Sequence, residues 1–320
     1  MASGSVSSPC PLSGVKEFKS SLCIIPPAEF WDPIQEIRRV HDSGFLRWPP
    51  HINLLYPFVP WRDAEAEALR VEALNEQGQR SVLLKNLPSS KGGKKAGPAV
   101  SLDELTALLE GECGVTPLSF QGFQGRGGGF VGSGFLELQE PGQVPLVIDA
   151  CHGKEFMGRT LSVTTVLPKD PVPDEMEPAA IYLREALHSV APFEMRLSRF
   201  SYFVHSPRSV TIFLVPECPP TWDDTPIQQL YQELQDAIPF CHEQHSEHGG
   251  KYTPHLSVGQ VKGGKAEKRA QALIAEFEAA FPSAQDMVMR IEGVQLIARK
   301  DFDDPFSVKH QVLFQGAAKG

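Results

Sequence analysis

The chain has 320 residues, 41% of them hydrophobic, and a formal net charge of -9. That size supports one large domain or two smaller ones with a sizeable core, and the acidic balance excludes bulk attraction to nucleic acid or an anionic membrane, so any nucleic-acid contact must be local. No apolar run approaches the roughly 20 residues of a membrane-spanning helix, and the six cysteines lie scattered without a C-x-x-C pair, as in a reduced, intracellular (cytoplasmic or nuclear) protein.

The opening, MASGSVSSPCPLSG, lacks a basic start followed by an apolar stretch and reads as a flexible tail rather than a secretory signal. SLCIIPP is an apolar run closed by prolines, which predicts a buried strand. FWDPIQEIRRVH follows, with Phe30, Ile34, Ile37 and His41 at helical spacing. Then comes PPHINLLYPF, Pro49 to Phe58. In a strand alternate side chains share a face, so His51 and Asn53 point one way and Ile52 and Leu54 the other.

More than a hundred residues separate this stretch from the next amphipathic helix, too many for a structureless loop, so a separate domain is expected there. Within it SVLLKNLP is strand-like, SSKGGKKAG is a basic solvated loop, and SLDELTALLEG is a short helix with Ser101 as N-cap and Glu104 at the capping-box position. LSFQGF and GFLELQ read as strands on either side of a glycine-rich connection, and VPLVIDACHGKEFMGRTLSVTTV gives a helix, a turn and a last strand. GRGGGF, Gly125 to Phe130, lacks the G-K-[ST] ending of a phosphate loop.

Beyond the insert the pattern returns. AAIYLREALHSVA is an amphipathic helix and FEMRLSRFSYFV an alternating strand. TIFLVPE is a second proline-closed run, PIQQLYQELQDAI places Ile227, Leu230, Leu234 and Ile238 on one helical face, and TPHLSVGQV repeats the histidine stretch with His255 and Ser257 on a shared face. The helix KAEKRAQALIAEFEAAF and the strands MVMRIEGVQLIAR and SVKHQVLFQ close the chain. Strand, helix and histidine strand thus occur twice in the same order, which predicts a duplicated β-α-β-α-β unit. The segment CHEQHSEHGGKYTPH carries Cys241, His242, His245 and His248 at spacings zinc tolerates. With a single cysteine and the Gly249-Gly250 pair it reads instead as a polar loop rimming a cleft, and no metal is expected.

In its β-α-β-β-α-β order the insert resembles an RNA recognition motif (RRM). VLLKNL, Val82 to Leu87, is similar to the family's hexapeptide motif and VGSGFLEL, Val131 to Leu138, to its octapeptide motif. The family stacks bases on aromatic residues of the central strands. Here Leu83 and Ser133 occupy two of those places and Phe135 alone keeps a ring. Phe135, Lys85, Lys91, Lys94, Lys95 and Arg126 are therefore the candidate RNA contacts; a protein-binding or spacer module is the alternative, with the insert as the route to a protein partner.

If the two halves pack about a pseudo-twofold axis, both histidine pairs project into one cleft. A phosphodiester displacement needs one group to take a proton from the attacking oxygen and another to give one to the leaving oxygen, in line across phosphorus. Two imidazoles supply both transfers, with Asn53 and Ser257 donating to the non-bridging oxygens, and the scheme requires neither metal nor cofactor. At this point the chain resembles the two-histidine (2H) phosphoesterase superfamily, which includes LigT-like 2′-5′ RNA ligases and 2′,3′-cyclic phosphodiesterases. Its signature, H-x-[ST]-x twice, is met by HLSV at 255–258 and altered in HINL at 51–54, where Asn53 takes the hydroxyl place.

The resemblance implies an α+β bilobal two-histidine fold discontinuous over 18–78 and 168–315, a ferredoxin-like (RRM-like) insert at 79–167, and tails at 1–17 and 316–320. It implies a metal-independent phosphodiesterase that processes RNA ends, on RNA or nucleotide substrates: family members open a 2′,3′-cyclic phosphate to a 2′-phosphate, the reaction expected here, and others cleave 2′-5′ linkages or trim 3′ ends. His51 would be the acid for the 3′ oxygen and His255 the base for water, roles that exchange with reaction direction. Tyr56 and Tyr252 are candidates to stack a base, with core or rim packing as the alternative. The competing expectation is a catalytically weak descendant that only holds RNA ends or a partner protein.

Overall fold

In the computed structural model, which describes residues 9–90, 100–125, 128–243, 252–281 and 287–316, the chain divides into two units, Met1–Arg62 with Pro173–Gly320, and Asp63–Val172. The first unit opens with β1 (Ser20–Ile24), α1 (Trp31–His41) and β2 (Ile52–Leu55). The second contains α2 (Ala64–Gln79), β3 (Ser81–Lys85), α3 (Leu102–Cys113), β4 (Ser119–Gln124), β5 (Phe130–Glu137), α4 (Gln143–Cys151), the small pair β6 (Glu155–Phe156) and β7 (Arg159–Thr160), and β8 (Ser162–Thr165). The first unit resumes with α5 (Met176–Ala186), β9 (Phe193–Ser206), β10 (Ser209–Glu217), α6 (Thr225–Ala237), β11 (Leu256–Lys262), α7 (Ala266–Ala280), β12 (Met287–Ile291), β13 (Gly293–Ala298) and β14 (Ser307–Leu313).

Eight of these strands form one sheet in the order β12-β9-β10-β11-β2-β1-β13-β14, every pairing antiparallel. The middle of that order is the seam between the two histidine strands, with four strands on either side of it. The repeat is visible in detail. The β1–β2 ladder pairs Ile24 with Ile52 and Cys23 with Asn53, then shifts register between Leu22 and Cys23. The β10–β11 ladder pairs Leu214 with Leu256 and Phe213 with Ser257, then shifts between Ile212 and Phe213. A bulge at the same step of both ladders is what a duplicated unit leaves behind.

Three sequence expectations change here. The segment 287–299 is two strands, broken at Glu292, because β12 pairs with β9 at one end of the sheet and β13 with β1 near the other. The strand that ends each repeat does not stay with its own half: β9 lies beside β10, and β13 returns to lie beside β1. The tail expected over 1–17 is fastened over its described part. Ser13 N–H donates to Glu175, Lys16 donates to the Phe240 carbonyl at 2.7 Å and pairs with Glu243, and Glu17 pairs with Arg62 and bridges to Phe58.

Alternation decides which sheet face is covered. Leu22, Ile24, Ile52, Leu54, Ile212, Leu214, Leu256 and Val258 are buried in one cluster with Ile34 and Ile37 of α1, Leu183 of α5, Leu230 and Leu234 of α6 and Phe277 of α7. Each such aliphatic side chain contributes on the order of 1.5–3 kcal/mol. The approach of α1 to β11 is close enough to require glycine: a Cβ on Gly259 would stand 2.9 Å from the His41 Cβ.

The second unit carries a sheet in the order β4-β5-β3-β8, backed by a core of Val82, Leu84, Leu105, Leu109, Leu136, Val147 and Val163. This is the ferredoxin-like arrangement expected from the order of its elements. The capping box is present: Ser101 Oγ accepts from Glu104 N–H at 3.2 Å and Glu104 accepts from Ser101 N–H at 2.7 Å. The unit begins at Asp63, upstream of residue 79, because α2 runs into β3 with Arg80 alone between them. The sequence reading missed α2, whose buried residues, Glu67 and Val71, form no apolar stripe.

Candidate active site

Both histidines stand one residue ahead of their strands, and the seam pairs Ile52 with Leu256. Continuing that register by one residue each way sets His51 across from Ser257 and Asn53 across from His255. Ile52 and Leu256 are fully buried in the core, so the four flanking side chains share the face away from the helices. Directly opposite residues in a sheet lie about 4.5–5.5 Å apart and diagonal ones about 7–8 Å, so the two histidines are diagonal neighbours across the seam.

The rings are held alike. His51 Nδ1 lies 2.8 Å from the Pro49 carbonyl and His255 Nδ1 lies 2.9 Å from the Thr253 carbonyl. A carbonyl only accepts, so each Nδ1 carries a hydrogen and each Nε2 is the ring atom left to exchange a proton. Aromatic walls fix the ring planes. Trp48 stacks on His51 at 4.6 Å and on Phe306 at 3.8 Å. On the other side Phe203 and Phe213 meet His255 edge-on at 4.9 and 5.3 Å. Trp48 is in turn anchored from the last turn of α1. Arg38, 1% exposed, donates to the Trp48 carbonyl at 2.9 Å and pairs with Asp42 at 2.8 Å. Asp42 also accepts from the Gly44 N–H and from Gln260.

Burial pushes the His51 imidazole down to about 4; the Pro49 hydrogen bond and Asp42 pull it up, and Arg38 and His255 add to the lowering. His51 is therefore neutral at physiological pH. With about 6.5 for an unfolded histidine, the unfolded chain binds the extra proton between pH 4 and 6.5. The stability this contributes is full above pH 6.5 and lost as pH falls towards 4, by up to about 3 kcal/mol. Urea unfolding from pH 7 to 4 should show that loss in the wild type and a flatter profile in His51→Gln; equal slopes would refute it.

Of the other sequence candidates, Tyr252 is corrected. It is 2% exposed, its ring stacks on Tyr231 at 4.0 Å, and its hydroxyl donates to the Asn53 carbonyl at 2.7 Å. It clips one histidine strand to the other and cannot receive a base. Tyr56 stays in the aromatic wall, edge-on to Trp48 at 5.3 Å and to Phe18 at 5.7 Å. Among the described residues no group of three or more His, Cys, Asp and Glu is placed to hold a metal, and no helix is long and apolar enough to cross a membrane. His245 and His248 lie outside the described residues, as do Lys91, Lys94, Lys95 and Arg126.

On the insert's open sheet face Phe135 pairs across to Leu83 and Gln121, and Lys85 ends β3 in solvent. Phe123, overlooked in the sequence, meets Phe135 edge-on at 4.9 Å. Beside them a cavity of about 100 Å³ is lined by Phe135, Gln121, Ser119, Glu137, Gln77 and Lys169 among others. The Ser119 hydrogen bond, with Arg80 and Gln77, holds the Glu137 carboxyl below its usual range. At that end of the face Glu137 is ionised and paired with Arg80 at 2.8 Å.

Trp48, Arg38, Phe203, Phe213 and Ser21, which bonds Asn53, were not singled out in the sequence. Trp48 had the one usable signal, an aromatic residue directly before the Pro-Pro-His run.

The family model described as the 2′-5′ RNA ligase superfamily matches residues 26–88 and 160–302, more than half of the chain and most of the first unit. No curated protein matches. Among solved structures, "RNA Binding Protein PG1" aligns at 24% identity over 28% of this chain and 98% of its own, TM-score 0.23. The protein TT0787 of Thermus thermophilus aligns at 18% identity over 48% of this chain and 78% of its own, TM-score 0.27. The Sex-lethal RNA recognition domains 1 and 2 from Drosophila melanogaster align at 11% identity over 61% and 93%, TM-score 0.22.

Proposed function

The chain belongs to the 2′-5′ RNA ligase superfamily, and from that premise we propose that it is a phosphodiesterase of RNA ends that opens a 2′,3′-cyclic phosphate to a 2′-phosphate. One observation carries the reading: the seam sets two Nδ1-anchored imidazoles diagonally across adjacent strands, each beside a neutral donor. In the reaction a water oxygen bonds to phosphorus, the bond from phosphorus to the 3′ oxygen breaks, and the proton lost by water is balanced by one given to that oxygen.

Held neutral by burial, His51 suits the first transfer. With a value of about 4, only on the order of a thousandth of it would carry a proton at pH 7, too little for the acid. His51 is thus assigned as base and His255 as acid, the reverse of what the family resemblance implies. Asn53 and Ser257 donate to the non-bridging oxygens as charge builds there. Tyr56, beside Trp48, is the remaining candidate to stack the base. The insert adds Phe135 and Phe123 as a two-ring platform for single-stranded RNA, with Lys85 for phosphate.

The test is incubation with 2′,3′-cyclic nucleotides in a chelating buffer. The expected result is a 2′-phosphate product at a rate the chelator does not lower, since two imidazoles supply both proton transfers. Binding without turnover would replace the enzyme by an adaptor that holds RNA ends.

A further inference from the structure

The two halves of the cleft differ at equivalent positions: Ser257 follows His255, whereas Asn53 follows His51, two residues on in each case. A serine hydroxyl swivels to donate. A carboxamide can present either its oxygen or its NH2, and the wrong face would set an acceptor against a phosphoryl oxygen. Something must fix it.

On the neighbouring strand β1, Ser21 is fully buried, and its Oγ lies 2.7 Å from Asn53 Oδ1. The other oxygens in its reach are the carbonyls of Leu55 at 3.3 Å and Leu22 at 3.5 Å. A separation of 2.7 Å is typical of O–H···O, whereas N–H···O bonds centre near 2.9–3.0 Å. The hydroxyl therefore donates to the amide oxygen, and the NH2 is left facing the other way.

We propose that Ser21 is a positioning residue for the oxyanion donor, holding the Asn53 carboxamide so that its NH2 meets a non-bridging phosphoryl oxygen opposite His255. The proposal rests on the reading of the cleft given above. An amide fixed in this way offers two N–H donors and no transferable proton, so it stabilises developing charge without competing with the imidazoles for proton transfer. The donor on the His51 strand is thereby set in the folded state, before any substrate enters.

The experiment combines kinetics with the side-chain amide signals of Asn53 in ¹⁵N–¹H spectra, assigned by their loss in Asn53→Ala. In the wild type those signals should move on titration with uridine 2′-monophosphate. Ser21→Ala should lower kcat about tenfold with KM little changed, and should shrink that response. Placed in the Asn53→Ala background, the same substitution should change kcat by less than about twofold, because there is no amide left to orient. An equal cost in both backgrounds marks a purely structural serine and overturns the proposal. So do wild-type amide signals that ignore the phosphate, a result that needs no variant to fold. A wild type without turnover whose amide response still depends on Ser21 would end the enzymatic reading and leave the positioning intact.

Discussion

Replacing either His51 or His255 by alanine is expected to lower kcat/KM on a 2′,3′-cyclic nucleotide by on the order of 10²–10⁴, with the double variant little worse than the more damaging single one. The two rings serve one displacement, so losing one proton transfer strands the other. Neither loss should unfold the protein, since both rings lie on the face away from the helical core. Thermal midpoints close to the wild type would confirm that the loss is chemical. The pH profile of kcat/KM separates the roles. With His51 as base, the acidic limb reports its value of about 4, so the rate holds well below pH 6. Activity that instead collapses as pH rises above 5 would make His51 the acid. A His51→Ala protein retaining a tenth or more of wild-type activity would remove the paired mechanism altogether, an outcome set against the order-of-magnitude loss expected for a proton-transfer group.

Tyr252→Ala should be the most destabilising of the substitutions considered, by about 3–5 kcal/mol. The ladder between the two histidine strands contains the pair Leu256 and Ile52, a short seam for the middle of an eight-stranded sheet. The Tyr252 hydroxyl adds a bond across it to the Asn53 carbonyl, and its ring fills the core against Tyr231. Truncation leaves a cavity and an unpaired acceptor. Tyr252→Phe keeps the ring and should cost about 1 kcal/mol through the hydrogen bond alone. Urea denaturation of both variants checks the order. The relative KM values for uridine and adenosine substrates should be the same in Tyr252→Phe as in the wild type; a changed ratio would put the ring in the substrate's path.

Several parts of the site were open to sequence reasoning because their signals are local. Period-two alternation around His51 and His255 told which side chains share a face. Helical spacing placed Ile34, Ile37, Ile227 and Leu230 in the core, where all four are buried. The capping box at Ser101 and Glu104 closes within four residues and was legible for that reason. The supports of the site were not legible. Arg38 reaches the Trp48 carbonyl from a helix end, and Ser21 reaches Asn53 from 32 residues away. Composition and periodicity carry no record of such partners. Tyr252 failed for a related reason: nearness to a histidine in the chain does not say on which side of the sheet a ring falls.

By itself the sequence determined most of the elements, their doubling, the β-α-β-β-α-β order of the insert and the pair of histidines, because hydrophobic period, turn chemistry and motif spacing act over a few residues. The tertiary structure alone decided which strands are neighbours. A strand's alternation names its faces and leaves its edges blank, since backbone N–H and C=O groups pair equally well with any partner of matching register. That freedom let β9 and β13 each cross to the other side of the seam, broke one expected strand at Glu292, and brought His51 and His255 together at the centre of a single sheet.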